Sequence, residues 1–68
     1  MKIGFFIIRE EDGEMLEAER EHFELGMAES ENASELEDWL KKNAEHFVVS
    51  AITEWRGIYH AEFYPANK

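Results

Sequence analysis

The opening run Lys2-Ile3-Gly4-Phe5-Phe6-Ile7-Ile8-Arg9 constrains the fold most. Its apolar residues do not alternate with polar ones. In an extended chain Ile3, Phe5 and Ile7 point to one side, and Phe6 and Ile8 to the other. A strand that is apolar on both sides belongs inside a sheet, with at least partial cover on each face. The 68 residues allow one domain, 1–68, and a chain of that size buries only about 60% of the surface its unfolded form exposes. The core must be thin, with little room to enclose a large substrate. Cysteine is absent, so neither a disulfide nor a Cys-ligated zinc can staple the fold.

Two further apolar runs read as strands. Residues 47–55 and 58–64 are rich in β-branched and aromatic residues, and Arg56-Gly57 between them reads as a hairpin turn. A two-residue loop and a three-residue loop both fit, so the register stays open. Between the first strand and this hairpin, residues 33–46 carry the clearest helical pattern. Leu36, Trp39, Leu40 and Ala44 form an apolar stripe that Phe47 extends. Ser34 with Glu37 matches a capping box, as does Asn32 with Glu35. Ala28 to Asn32 reads as a polar linker.

Residues 14–25 are ambiguous. They contain no β-branched residue and many good helix formers. Leu16, Arg20, Phe23 and Met27 share one helical face, Asp12 suits an N-cap, and Gly26 suits the position just past the end. A helix is therefore expected. The rival is a second strand folded back across the Asp12-Gly13 turn, which would need a bulge because Leu16 and Ala18 differ in parity from Phe23, Leu25 and Met27. The expected fold is α+β: a small antiparallel-containing sheet of three or four strands with one or two helices on one face. The order is β-α-α-β-β, or β-β-α-β-β if the rival holds.

Charge is distributed unevenly. The chain carries a formal net charge of -9. Residues 10–38 contain thirteen acids and one base, Arg20, whereas residues 39–68 are nearly neutral. Such acidity argues against direct binding to nucleic acid or to an anionic membrane surface. It suits a partner with a basic surface. On a helix, Glu14, Glu17, Glu21 and Glu24 would form a carboxylate row with neighbours about 5–6 Å apart, able to occupy a groove that normally holds a nucleic-acid backbone. Glu10, Glu11, Asp12, Glu29 and Glu31 would extend that face. Trp55, Arg56 and Tyr59 at the hairpin tip form a second candidate interface, because Trp, Tyr and Arg dominate binding hot spots.

No catalytic constellation emerges, and no enzyme activity is expected. Ser30, Ser34 and Ser50 lack a nucleophile-elbow context. The four glycines are too scattered for a phosphate loop. His22, His46 and His60 have no diagnostic metal spacing; Glu21-His22 and His60-Ala61-Glu62 offer partial ligand sets at most. No metal or cofactor is expected. The first apolar run ends at Arg9 without a cleavage signal, and no stretch reaches the ~20 apolar residues of a membrane span. A cytoplasmic protein is expected, in the host cytosol if phage-encoded.

In size, acidity and element order, the chain resembles the small inhibitors encoded by phages and mobile elements, anti-CRISPR proteins among them. The pattern is carried by the Met1–Ile8 strand, the helix capped at Ser34–Glu37 and the closing hairpin. The resemblance implies a compact α+β inhibitor that binds a CRISPR surveillance complex and blocks nucleic-acid access by charge mimicry. It carries over no individual functional residue. The alternative is a small structural or regulatory subunit acting through a dimer, an aromatic patch or a strand edge. A monomer is expected ahead of a homodimer.

Overall fold

The computed structural model describes residues 1–66. It is an α+β fold: one helix on a five-stranded antiparallel sheet. The elements are β1 (Lys2–Ile8), β2 (Met15–Glu17), β3 (Leu25–Ser30), α1 (Ala33–Lys42), β4 (Phe47–Trp55) and β5 (Ile58–Pro65). Across the sheet they run β2-β1-β3-β5-β4. The first strand is interior in the sheet, as expected, although the single helix covers only one of its two apolar faces. It pairs with β2 on one side (Ile7 opposite Leu16) and with β3 on the other (Ile3 opposite Ala28).

The expected order is corrected: three strands precede the helix, and residues 14–25 are not helical. Met15–Glu17 forms a short edge strand, residues 18–24 make an irregular connection, and β3 starts at Leu25. A helix here would have set Glu14, Glu17, Glu21 and Glu24 against one another, destabilising it by a few tenths of a kcal/mol per pair. The extended path buries Phe23 instead, with ring centroids 5.0 Å from Phe5, 5.5 Å from Phe47 and 5.9 Å from Phe63. Burying one such side chain contributes about 1.5–3 kcal/mol, more than helix propensity offers over the segment. Two strands with a loop between them also remove the need for a bulge. Asp12 caps no helix: its Oδ1 accepts from the Glu14 N–H at 3.0 Å. That bond closes the β1–β2 turn, in which Gly13 has φ +68°.

The stretch Ala28 to Asn32, read as a linker, begins inside β3, the middle strand of the sheet. Gly26, Ala28 and Ser30 of β3 share one face and are buried. Their register partners on that face are Phe63, Ala61 and Tyr59 of β5. This strip of small residues lets large side chains close over the centre. Leu36 from α1 descends onto it, with Trp39 and Leu40 beside it. Phe5, Phe23, Phe47, Phe63 and Trp39 interlock around the same point; Phe47 and Phe63 lie 4.7 Å apart and Trp39 and Phe63 5.3 Å. Most of the chain's aromatic surplus is therefore core.

The helix is shorter than its pattern suggested. It ends at Lys42 rather than at residue 46, and Ala44 is exposed. Asn32, not Ser34, is the N-cap: its Oδ1 accepts from the N–H groups of Ser34 (2.9 Å) and Glu35 (3.3 Å). Glu35 does not return the bond to Asn32. Its Oε2 accepts from Ser30 Oγ at 3.1 Å, and that same Oγ accepts from the Asn32 N–H at 3.0 Å. The buried serine thus ties the end of β3 to the start of α1.

The β4–β5 hairpin follows the sequence. Trp55 faces Ile58 across a two-residue turn. Arg56 and Gly57 both lie in the left-handed region, with φ 52° and 80°, as a type I′ turn requires. A bulge at Ser50 shifts the register between Val49 and Ala51. No helix among the described residues is long and apolar enough to cross a membrane.

Candidate functional site

Two surfaces stand out. The first is acidic. Glu10, Glu11, Asp12 and Glu14 are exposed in the β1–β2 turn, Glu17 is exposed on β2, and Glu19, Glu21 and Glu24 are exposed in the connection to β3. Two backbone bonds hold that connection against β1: the Ala18 N–H donates to the Phe5 carbonyl at 2.8 Å and the Glu24 N–H to the Phe6 carbonyl at 3.0 Å. The carboxylates therefore form a rim that runs from the β1–β2 turn along β2 and across β1 to the start of β3, not a straight helical row. Glu29 and Glu31 lie toward the opposite end of β3, where Glu29 pairs with Lys2 and Glu31 follows the strand. Glu29 is half-buried and its Oε1 lies 3.4 Å from Nδ1 of His60.

The one base within this stretch does not neutralise it. Arg20 turns toward the end of α1, where Nη2 donates to Asn43 Oδ1 at 2.8 Å. Its guanidinium sits 5.1 Å from the centre of the Phe47 ring. Asn43 is itself anchored, donating from Nδ2 to the Trp39 carbonyl at 2.8 Å. Among the described residues the ion pairs within 4.0 Å are Met1–Glu35 and His60–Glu29, so no acid between residues 10 and 24 has a cationic partner. This unpaired rim is the strongest electrostatic feature of the molecule.

Glu19 was not singled out in the sequence, because a helix would have turned it away from the Glu17–Glu21–Glu24 side. The loop brings its carboxylate together with Glu21 and His22, one ligand atom from each lying within 4.8 Å of the others. This is the one such grouping of three metal-ligating side chains among the described residues. All three are exposed, and no second shell orients them, which a built metal site requires.

The second surface is the β4 edge and hairpin tip. Val48, Ile52 and Trp55 are 57%, 55% and 62% exposed. The Arg56 guanidinium stacks 4.5 Å from the centre of the Trp55 ring. Tyr59 is not beside them. It lies opposite Glu54, on the face that carries α1, and packs half-buried against the core. A third, open cleft of about 390 Å³ lies where β1, β3 and α1 meet, lined by Lys2, Glu29, Glu31 and Glu35 among others.

No protein-family model, curated protein or solved structure matches this chain. The geometry carries the functional argument alone. What it offers is two surfaces of different chemistry on one rigid sheet: an unneutralised acidic rim and an almost uncharged edge.

Proposed function

We propose that this domain is a protein-binding inhibitor. Its acidic rim occupies a basic groove made for nucleic acid, as anti-CRISPR-type inhibitors of phages and mobile elements do. The partner is a basic nucleic-acid-binding protein or complex, a CRISPR surveillance complex being the example the resemblance suggests. The observation that carries this reading is the unpaired rim: eight acids between residues 10 and 24, with Arg20 directed away toward Asn43 and Phe47. Carboxylates left without intramolecular cations keep their full attraction for Lys and Arg on another surface. The mimicry works through charge density around a curved rim, since no carboxylate row at helical spacing exists.

The test is capture of a partner on the immobilised domain, followed by elution. Double-stranded DNA and rising salt should each release the partner, because exposed charge pairs are screened beyond ~8–10 Å near physiological ionic strength. Reversing three charges together (Glu17→Lys, Glu21→Lys, Glu24→Lys) should weaken binding by about tenfold or more. Salt-insensitive capture, capture that DNA does not compete, or full binding by the triple variant each removes the reading. A second reading, a small structural or regulatory subunit acting through a dimer, an aromatic patch or a strand edge, is favoured by the exposed β4 edge, whose one charged side chain is Glu54.

A further inference from the structure

Strand β1 is apolar on both faces, and the fold covers one of them. Phe5 lies opposite Gly26 and packs with the Phe23, Leu36 and Phe63 cluster beneath α1. Phe6 points to the face opposite the helix. There it is flanked by Glu17 of β2 and Leu25 of β3, and Tyr64 and Val48 continue the row through β5 and β4. Four apolar side chains thus cross the sheet in line, with the Ile8–Met15 pair on one side of them and Met27 on the other. Leu25 at the centre is 8% exposed, whereas Val48, Met15 and Tyr64 are 57%, 49% and 41% exposed. The Phe6 ring lies flat along its strand: a Cβ built on Gly4 would come within 2.5 Å of Phe6 Cζ. The absent side chain at Gly4 leaves a level apolar floor, the kind of patch that marks a protein contact.

We infer that this floor docks a basic amphipathic helix of a protein partner. Size and charge together name the occupant. The row spans four strand spacings, about 19 Å, a length that a helix of about 13 residues covers. One helical face, apolar at i, i+3, i+4 and i+7, would meet it. The borders of the floor are acidic. Glu17 ends the row at the β2 edge, Glu62 stands opposite Met27, and Glu10, Glu11 and Asp12 are exposed in the turn after Ile8. The nearest bases in sequence are Arg9 in that turn and Lys2 at the far end of β1, opposite Glu29. Neither forms an ion pair with these acids among the described residues.

A second copy of the chain would bring the same carboxylates, at a net charge of -9, and an anionic membrane is repelled for the same reason. A helix with lysine or arginine beside its apolar stripe suits both parts of the surface: its apolar residues seat on the row and its cations meet the border. The inference rests on the acidic-rim reading for the sign of the partner's charge. It adds an apolar anchor, which charge mimicry does not require.

The probe is a synthetic helix of about 15 residues, leucine and lysine with the leucines on one face, titrated into the isotope-labelled chain. Calorimetry should give a dissociation constant below about 100 μM, and amide shifts should centre on Phe6, Met27, Val48 and Tyr64. A peptide of the same composition with scattered leucines should bind about tenfold more weakly or worse. One with glutamate in place of lysine should not bind. Val48→Thr combined with Tyr64→Thr alters two exposed side chains and no charge. It should keep the wild-type circular dichroism and weaken binding about tenfold. Met15→Gln alone should weaken it about threefold. Ile52→Thr, on the helix side opposite Ala61, should leave it unchanged. No binding by the amphipathic peptide, equal affinity for the scattered one, indifference to the double variant, or shifts confined to residues 10–14 and 18–24 overturns the inference. The titration contains no nucleic-acid-binding protein, so its failure leaves DNA-competed capture standing. Loss of that capture with peptide binding intact removes the acidic-rim reading instead.

Discussion

The ring of Phe63 lies directly over Gly26. A Cβ built at position 26 would come within 2.1 Å of Phe63 Cε2, a distance no packed structure tolerates. Both residues sit at the centre of the sheet, facing each other across β3 and β5. Gly26→Ala should therefore destabilise the fold by about 1–3 kcal/mol or more, the range for overpacking a tight core. Combining it with Phe63→Leu should cost less than the two changes summed, because they act on one space. Denaturant titration of the two single variants and the double variant measures the coupling. Independent effects would show that the contact is not decisive.

Phe63→Ala and Leu36→Ala report the core from opposite layers. Both side chains are fully buried, one from the sheet and one from the helix. Each truncation should cost about 2–5 kcal/mol, enough to unfold much of a domain this small. The loss of the unfolding transition, followed by near-ultraviolet circular dichroism of the packed aromatic rings, checks this.

Arg56 occupies a left-handed position, φ 52°, that asparagine adopts more readily. Arg56→Asn produces the Asn-Gly pair favoured in two-residue hairpins. The gain should be about 0.5–1 kcal/mol, reduced by loss of the stack on Trp55. A rise of about 2–6 °C in melting temperature is the expected result in dilute solution. An unchanged or lower value would mean that the Trp55 stack outweighs the backbone preference.

Ser30 serves two elements with one hydroxyl. Ser30→Ala would leave the Asn32 N–H without its acceptor and Glu35 without its donor, at a cost of about 1–3 kcal/mol. Asn32→Ala removes only the helix cap and should cost about 1 kcal/mol. Thermal unfolding of both ranks them, and the serine variant should be the less stable.

The unpaired rim also affects stability. Its carboxylates repel one another in the folded state, and salt screens that repulsion. Raising sodium chloride from about 0.02 to about 0.5 M should increase the melting temperature by a few degrees. A decrease would show that attractive pairs dominate.

What the sequence discloses here is the part of the fold written in local patterns. The 47–55 and 58–64 alternation around Arg56-Gly57 places the hairpin within a residue, and the stripe of Leu36, Trp39 and Leu40 places the helix. The Asp12-Gly13 turn is equally local. Residues 14–25 mislead because their propensity is local whereas the burial of Phe23 depends on Phe47 and Phe63, far along the chain. Ala28 and Ser30 resemble a linker, and Gly26 a helix end, for the same reason: a strip of small residues has value only when large rings lie opposite. A period-two run of small residues was the available signal. The uneven charge is legible from composition, but its lack of pairing is not, since the turn of Arg20 toward Asn43 is a tertiary event.

The position of β3 carries one more consequence. Its pairing with β5 joins residues about 30 apart or more, whereas the β1–β2 and β4–β5 hairpins close locally. The buried cluster divides along the same seam: Phe23, Ala28 and Leu36 precede the loop after α1, while Phe47, Ala61 and Phe63 follow it. Neither half holds a core without the other. The two halves must therefore order together, and the long-range closure between them slows folding. A chain cut between α1 and β4 would behave as a split protein, its two fragments unfolded apart and ordered only when mixed.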